Sequence, residues 1–313
     1  MKKTHIVFLS GAIAVSATGS AVGSSAPQTS GHGSFSAKAY PERNDDFAWE
    51  NDIVAFRAYG PQTRRNGEKS FGYDIFLKYP GKGLVLEELY AVQTNPANWA
   101  KVDSLGKIDP AAAKDFENSF TYHIDHGKGM DCYAVGATLG CGATALLEEG
   151  RLVMPWTYET VEVIADTPDS LVFRLDFPPA VAGCDTVTEH RKIRLDKATH
   201  LNYSEVYYDG LSSERKIAAG FPLRDNPARF SSSGDGIVAV ADPTQGPDNG
   251  KALVGLLVPG GVEAVSEIDG HLVAVSTVAP GKPFRYYWGY AWDRTDITSL
   301  EDWVEYLRTG NQK

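Results

Sequence analysis

The sequence predicts an all-β protein, a large antiparallel β-sandwich with a short C-terminal helix. In its second half, segments rich in β-branched and aromatic residues alternate with Gly, Pro, Asp and Asn. No helical pattern separates these segments, which favours antiparallel sheets over a parallel α/β arrangement. The clearest predicted strands cover residues 161–165, 171–177, 201–208, 236–241, 252–258 and 272–278.

Turn and helix signals complete the predicted architecture. Asp269-Gly270 lies between two apolar segments, residues 262–269 and 271–278, and predicts a hairpin. Asp109-Pro110 can cap and begin a short helix over residues 111–116. At the C-terminus, Thr298 and Glu301 have capping-box spacing. Apolar residues then recur at helical intervals, which predicts an amphipathic helix docked through Leu300, Trp303, Val304 and Leu307.

The first residues predict an export signal. Lys2 and Lys3 precede an apolar segment over residues 6–15, and small residues follow to Ala26. This order is typical of a secretory signal peptide, so we expect residues 1–26 to direct export to the periplasm. Residues 27–38 are polar and predict a flexible leader, and residues 39–313 predict a single β-sandwich catalytic domain. No later segment is long and apolar enough to predict a membrane span.

The charge balance limits the possible ligands. The 313 residues include 40 Asp and Glu against 30 Lys and Arg, a formal charge of −10. This excess of acid argues against a nucleic-acid-binding protein, because such proteins neutralise phosphates with basic surfaces. An anionic substrate would require a few cations to converge in one pocket.

The densest group of chemically active residues lies between Tyr122 and Tyr133. It contains His123, His126 and Lys128 together with two carboxylates. Histidine transfers protons near neutral pH and is a common metal ligand, so these residues are candidates for catalysis or for a divalent metal. In an extended chain the two imidazoles point to opposite sides, and a bend at Gly127 would bring them to one pocket. The alternative interpretation is a polar loop with a structurally satisfied histidine.

Two further groups of residues suggest carbohydrate binding. In the first, Asp45 and Asp46 could serve as acid or base and Trp49 could stack on a sugar, although such a run of charges is usually a solvated loop. The second combines aromatic and basic residues, for which packing between two sheets is the alternative. These candidate substrate-binding residues are Arg43, Asp45, Asp46, Trp49, Arg191, Tyr207 and Trp292.

Four blocks of the sequence resemble an exported bacterial family of formerly unknown function. They are ERNDDFAWENDIVAFRAYGP (42–61), GYDIFLK (72–78), YHIDHGKGMDCYAVGATLGCGATAL (122–146) and residues 286–307. The family occurs in gene clusters for polysaccharide use and includes a dehydratase of ulvan oligosaccharides. The resemblance implies a sandwich of the galactose-mutarotase type. It also implies a lyase that removes water from a non-reducing-end glucuronate and leaves a 4,5-unsaturated uronate.

Such an elimination requires a base, an acid and a cation for the substrate carboxylate. His123 and His126 are the candidates for proton transfer, and Tyr203 or Tyr207 could replace either one. Lys128, Arg43 or Arg191 could bind the carboxylate. No cofactor is required by the sequence, and a divalent metal is possible. The alternatives are a glycoside hydrolase using Asp45 and Asp131, or a non-catalytic sugar-binding module that stacks sugars on Trp49 and Trp292.

Overall fold

The computed structural model describes residues 33–310. The first part of this range combines a small sheet with four helices. Its elements are β1 (Ser36–Tyr40), β2 (Asp46–Glu50), β3 (Ala55–Ala58), α1 (Pro61–Arg65), β4 (Tyr73–Lys78), α2 (Leu86–Gln93), α3 (Pro96–Gly106), α4 (Pro110–Asn118) and β5 (Gly129–Met130). The predicted signal peptide, residues 1–26, lies outside the described residues.

The remaining part is almost entirely strands, and a helix follows the last of them. All six predicted strands are confirmed within one or two residues at each end. The elements are β6 (Thr144–Glu148), β7 (Arg151–Val153), β8 (Thr160–Asp166), β9 (Ser170–Asp176), β10 (Ala180–Ala182), β11 (Asp185–Asp196), β12 (Leu201–Asp209), β13 (Arg215–Pro222), β14 (Arg229–Ser232), β15 (Ile237–Pro243), β16 (Lys251–Leu257), β17 (Ala264–Ile268), β18 (His271–Val278), β19 (Phe284–Trp292) and α5 (Leu300–Thr309).

The strands form three antiparallel sheets. The N-terminal sheet has the order β1-β2-β3-β4-β5. The wide sheet has the order β14-β15-β16-β19-β12-β11-β9-β8, with β10 paired to β11, and the third sheet has the order β17-β18-β13-β6-β7. Paired strands of all three sheets run antiparallel, as predicted.

An aromatic core joins the sheets into a sandwich. Trp49 of β2 lies 4.9 Å from Phe173 of β9, and Phe56 of β3 lies 5.2 Å from Trp288 of β19, measured between ring centroids. The third sheet packs on the same inner face of the wide sheet through β13 and β18. The wide sheet is therefore one layer, and the other two sheets form the second. The predicted all-β sandwich is confirmed.

Helices cover parts of the two outer faces. On the wide sheet, α5 buries Trp303 and Leu307 against residues of β15 and β16. On the N-terminal sheet, α2 buries Leu86 and Tyr90 against Phe76. Within residues 33–310, no helix has the length and apolar character needed to cross a membrane.

Two of the predicted local signals are confirmed and a third is corrected by one residue. Asp269 and Gly270 both have positive φ, +48° and +74°, and connect β17 to β18 as a hairpin. Asp109 accepts hydrogen bonds from Ala111 N and Ala112 N at the start of α4. The N-cap of α5, however, is Ser299 rather than Thr298, because the Ser299 side chain accepts from Asp302 N.

Helices α2 and α3 were not predicted, and their burial explains why. Helix α3 has no fully buried residue, and its apolar residues Trp99, Val102 and Leu105 are only half-buried, so its helical pattern is weak. Helix α2 is only 8 residues long. Its helical state depends on contacts with the outer face of the N-terminal sheet, which are distant in sequence.

The predicted leader ends earlier than residue 38. Phe35 is only 2% exposed, and Ser36–Tyr40 pairs with β2 in antiparallel register. This strand is recognisable only through its partner, because its own residues are mostly small and polar. The folded domain therefore begins several residues before the predicted boundary.

The structure predicts that His271 makes the fold sensitive to acid. His271 Nδ1 donates to Asp269 O at 2.8 Å, and Nε2 accepts from Leu139 N at 3.2 Å. Burial, assisted by the charge of Arg224, lowers the pKa of His271 below its ordinary value of 6.5. Since the unfolded chain binds the proton more readily, this contribution to stability is complete above the unfolded pKa and is lost as the pH falls below it.

We therefore expect a pH-dependent difference in the free energy of unfolding between the wild type and His271→Gln. The glutamine amide can donate and accept without titrating, so the wild type should lose more stability than the variant between pH 7 and about pH 5. Urea unfolding across that range measures the difference. Parallel pH profiles for the two proteins would contradict the assignment.

Candidate functional site

The outer face of the N-terminal sheet carries an unusual number of buried charges. Because side chains alternate along a strand, the apolar partners Phe47, Trp49 and Phe56 point into the sandwich and their neighbours point outward. Arg57 and Asp74 are direct cross-strand partners in the β3–β4 register. The buried charged residues on this face are Asp46, Glu50, Arg57, Asp74 and Lys78.

One of these charge groups supports the start of α2. Lys78 Nζ donates to Glu50 Oε2 at 2.7 Å and to the carbonyl oxygens of Asn51 and Gly83, each at 2.8 Å. Glu50 in turn accepts from the backbone nitrogens of Val85 and Leu86. Both charges are thus fully hydrogen-bonded, as buried ions require.

A second group, the Arg57 cluster, has no such helix-capping role. Arg57 Nη2 contacts Asp74 and lies 2.9 Å from Asp131 Oδ2, and Nη1 lies 3.6 Å from Asp46 Oδ2. The cluster is completed by two phenols, since Tyr59 donates to Asp74 and Tyr122 accepts from Arg57. We define it as Asp46, Arg57, Tyr59, Asp74, Tyr122 and Asp131.

The Arg57 cluster contains more carboxylates than cations. Burial raises the pKa of Asp46 to about 6, although the nearby Arg57 and Arg43 guanidiniums oppose the shift. Burial also raises the pKa of Asp74. Burial thus favours the neutral form of Asp46 and Asp74, while the Arg57 guanidinium between them favours the charged form.

Arg43 lies at the rim of the cluster. It ends a 3-10 turn, Pro41–Arg43, and the next two residues adopt positive φ, 56° at Asn44 and 61° at Asp45. Its Nε donates to Tyr122 Oη at 3.3 Å. Within the described part of the chain no carboxylate oxygen lies within 4.0 Å of its guanidinium, and the residue is half-buried. Arg43 can therefore offer its outer nitrogens to an anionic ligand.

His123 lies in the loop of residues 123–128, between the cluster residues Tyr122 and Asp131. We call this segment the His123 loop. Its Nδ1 lies 2.8 Å from the backbone oxygen of Asp131 and 3.8 Å from Asp131 Oδ2. Because a carbonyl oxygen only accepts, Nδ1 carries a proton and Nε2 of the neutral ring is the site that accepts one. The side chain is 51% exposed, so a ligand at the surface can reach it.

His126 and its neighbours fix the rest of this loop. Gly127 has φ of +90°, so the chain turns at this glycine. His126 Nε2 lies 3.2 Å from Thr121 O, and Lys128 pairs with Glu88 of α2. Asp125 accepts from Tyr79 Oη and from two backbone nitrogens. These bonds, against the effect of burial, lower its pKa.

Three predicted substrate-binding residues lie in the interior. Trp49 is fully buried and donates from Nε1 to Asn202 Oδ1 at 3.0 Å, and Trp292 is buried and donates to Asn249 O. Arg191 is also fully buried, with Nε 2.6 Å from Glu189 Oε1. The prediction that these three residues contact a sugar is wrong, because packing leaves them no surface for a ligand.

Tyr203 and Tyr207 lie on the opposite side of the sandwich from His123. Both project from β12 on the outer face of the wide sheet, where Tyr203 hydrogen-bonds Glu205 and Tyr207 stacks on His190. Both layers of the sandwich and the aromatic core between them separate this face from the His123 loop. The structure therefore corrects the expectation that either tyrosine could replace a histidine in the same site.

The two predicted aspartates have different environments. Asp46 belongs to the buried cluster, whereas Asp45 lies closer to the surface with Oδ2 2.7 Å from Arg65 Nη2. Asp131, the other carboxylate of the hydrolase alternative, is buried against Arg57. Both carboxylates of that alternative are thus held in ion pairs.

Sequence reasoning missed Arg57, Tyr59, Asp74 and Tyr122 as site residues. A signal was present: Arg57 and Asp74 each interrupt an otherwise apolar strand, in AFRA and YDIFLK. A charge inside an apolar strand must find a buried partner. Which partner it finds depends on the register of β3 and β4, which the sequence alone did not provide.

A divalent metal stays a prediction. Among residues 33–310, no three His, Cys, Asp or Glu side chains converge on a point that could hold a metal ion. Asp125, the natural third ligand beside the two histidines, already accepts three hydrogen bonds.

Fold and site together define an all-β sandwich protein with an exposed histidine loop above a buried arginine–carboxylate cluster. Residues 16–313 match the family model described as a domain of unknown function, DUF4861. The chain belongs to this family. It is also 28% identical over 283 residues to the uncharacterized protein P7 of Formosa agariphila, covering 87% of this chain. The match spans 66% of that protein, just under two thirds of its length. No solved structure matches the chain significantly.

Proposed function

We propose that the protein is an exported, periplasmic carbohydrate-active lyase. It eliminates water from a non-reducing-end glucuronate of ulvan-type oligosaccharides and leaves a 4,5-unsaturated uronate. The observation that carries the proposal is the half-exposed side chain of His123, whose Nδ1 donates to Asp131 O and leaves Nε2 as the proton-accepting nitrogen, beside a buried cluster with Arg43 at its rim.

His123 is the proposed base. Its Nε2 removes the C5 proton, and the electron pair of that C–H bond forms the C4–C5 double bond. Asp131 positions the ring, since its backbone oxygen accepts from Nδ1 and its carboxylate lies 3.8 Å from the same nitrogen. This arrangement orients the imidazole with Nε2 as the nitrogen that accepts the proton.

Arg43 is the proposed ligand of the uronate carboxylate. The C5 proton becomes more acidic when positive charge and hydrogen bonds stabilise the carboxylate beside it. Arg43 is suited to this because Tyr122 holds its Nε and no carboxylate of the described chain pairs with it within 4.0 Å. Lys128, which is paired with Glu88, is a second candidate cation and lies in the same loop as His123.

His126 is the proposed acid. In its protonated form both ring nitrogens donate, one to Thr121 O and the other to the departing C4 hydroxyl. The C4–O bond breaks, the oxygen takes this proton and leaves as water. One proton moves onto His123 and one leaves His126. Proton exchange with solvent then returns both residues to their starting states.

The test is incubation with a glucuronate-terminated ulvan oligosaccharide, followed by ultraviolet absorbance and product mass. Dehydration predicts a new absorbance of the unsaturated uronate and the loss of one water without chain cleavage. Gain of water across a cleaved bond would support a hydrolase instead. Binding without turnover would leave a sugar-binding module.

For Arg43→Ala we expect kcat/KM for the uronate substrate to fall about tenfold to a hundredfold. The reason is the loss of one charge-assisted interaction with the carboxylate, about 1.5–3 kcal/mol. Arg43→Lys should recover only part of the rate, because lysine cannot bind a carboxylate in a bidentate manner.

The matched control for Arg43 is the methyl ester of the same substrate. An ester carries no charge, so wild type and Arg43→Ala should process it at similar rates. Equal losses on acid and ester would show that Arg43 acts through the fold rather than on the carboxylate.

A further inference from the structure

Helix α2 connects the N-terminal sheet to the start of the His123 loop. At its first turn the backbone nitrogen of Leu86 donates to Glu50 Oε1, a buried carboxylate of β2, at 2.8 Å. Leu86 and Tyr90 are buried against the sheet, and Gln93 follows them at i+7 and i+3, on the same face of the helix. The contacts of α2 with the sheet therefore fix the place of the Gln93 side chain.

The Gln93 side chain binds the two residues that precede the His123 loop. Its Oε1 accepts from Thr121 Oγ1 at 3.1 Å and from Tyr122 N at 3.2 Å. Because a backbone N–H only donates, the Gln93 atom that faces it is the amide oxygen. The backbone oxygen of Gln93 accepts from Trp99 Nε1 of α3. Gln93 thus joins two helices to the start of the loop.

Thr121 carries this constraint to both histidines. It is only 3% exposed, and its hydroxyl proton is directed to Gln93. The hydroxyl oxygen in turn accepts from His123 N at 3.4 Å, and the backbone oxygen of Thr121 lies 3.2 Å from His126 Nε2. The amide oxygen of Gln93 therefore fixes a buried threonine that contacts both histidines of the loop.

The proposed ligand of the substrate carboxylate is held by other bonds. Arg43 Nε donates to Tyr122 Oη, and Arg57 Nη1 donates to the same oxygen at 3.2 Å. The Tyr122 ring is fully buried and packs edge-on against Phe76 at 5.5 Å. Loss of the Gln93 amide oxygen should therefore disturb the two histidines more than Arg43.

We propose that Gln93 is a positioning residue for proton transfer by His123 and His126. It acts through Thr121 and the backbone of Tyr122 rather than on the substrate. The inference rests on the proposed function for the roles of the two histidines. Both imidazoles must meet one sugar ring, and a displacement of about 1 Å in such an arrangement can lower the rate about a hundredfold.

The test compares Gln93→Met with Gln93→Glu in the full-length mature protein. Methionine has a similar length but no amide oxygen, so kcat on the glucuronate substrate should fall about tenfold to a hundredfold. KM should change less than about threefold, because the bonds of Arg43 remain. Glutamate keeps an accepting oxygen and should restore kcat to within about threefold of the wild type. Circular dichroism of each variant measures the folded fraction.

Gln62→Met is the matched control. Gln62 is also a half-buried glutamine, and its amide binds Asn66 Oδ1 at 2.7 Å and Arg65 Nε at 2.8 Å. These partners lie at α1 and contact neither histidine, so this variant should keep the wild-type kcat.

A second readout, by nuclear magnetic resonance, does not depend on turnover. In Gln93→Met the backbone amide of Tyr122 loses its acceptor and should exchange with solvent about tenfold faster than in the wild type. The ring signals of His126 should shift, because its partner Thr121 is released. Gln93→Glu and Gln62→Met should resemble the wild type in both measurements.

The proposal is overturned if Gln93→Met keeps the wild-type kcat or if its Tyr122 amide exchanges at the wild-type rate. A wild type that does not turn over the glucuronate substrate refutes the proposed function alone. The exchange rates then still decide whether Gln93 holds the His123 loop, since faster exchange in Gln93→Met supports this role and unchanged exchange overturns it.

Discussion

Replacing Arg57 with methionine is expected to lower the free energy of unfolding by about 3–5 kcal/mol. Arg57 is 3% exposed and contacts three buried carboxylates, those of Asp46, Asp74 and Asp131. Methionine fills a similar volume but leaves these charges without a counterion in a medium that solvates them poorly. Urea unfolding at pH 7.5 measures the loss.

The pH dependence of this loss provides a second check. Asp46 already has its pKa raised to about 6 by burial, and removal of Arg57 would raise it further. A carboxyl whose folded pKa is raised gains stability as the pH falls through that value. The difference between wild type and Arg57→Met should therefore shrink between pH 7.5 and pH 5.

Arg65→Met is the matched control for Arg57→Met. Arg65 also pairs with an aspartate, with Nη2 2.7 Å from Asp45 Oδ2, but its side chain is 54% exposed. An exposed pair contributes about 0–1 kcal/mol, so this variant should remain close to wild type. Similar losses of unfolding free energy in the two variants would contradict the claim that burial is the reason why removal of Arg57 destabilises the fold.

The strands were predictable because their signals are local. Alternation and turn residues are properties of the chain itself, and Asp269-Gly270 is a turn in which both residues adopt positive φ. Helix α3 and strand β1 were not predictable. Neither carries a clear local pattern, since α3 buries no residue and β1 is defined by its pairing with β2.

The candidate site was predictable only where its residues lie close in sequence. His123, His126 and Lys128 share one loop, and the chain turns at Gly127 within it. Tyr203 was grouped with them by residue type alone. The alternation of side chains along β12 sends it to the other outer face, a fact that depends on which face of the wide sheet is buried.

Replacing His123 with alanine is expected to lower kcat by about a hundredfold to ten-thousandfold on the glucuronate substrate, the range typical of a general acid–base residue. KM should change little, because the substrate carboxylate is assigned to Arg43. The fold should persist, since the side chain is half-exposed and its hydrogen bond is to the Asp131 backbone. Initial rates of absorbance increase, with circular dichroism and urea unfolding of both proteins, measure these effects.

His190→Ala is the matched control for His123→Ala. His190 also faces a carboxylate, with Nδ1 2.6 Å from Asp176 Oδ1, but it lies on the outer face of the wide sheet across the sandwich. If proton transfer occurs at the His123 loop, His190→Ala should leave kcat unchanged, whereas His123→Ala should lower it. Equal rates for wild type and His123→Ala would refute His123 as the base. A loss of activity in His190→Ala alone would move the site to the opposite face, where Tyr203 and Tyr207 lie.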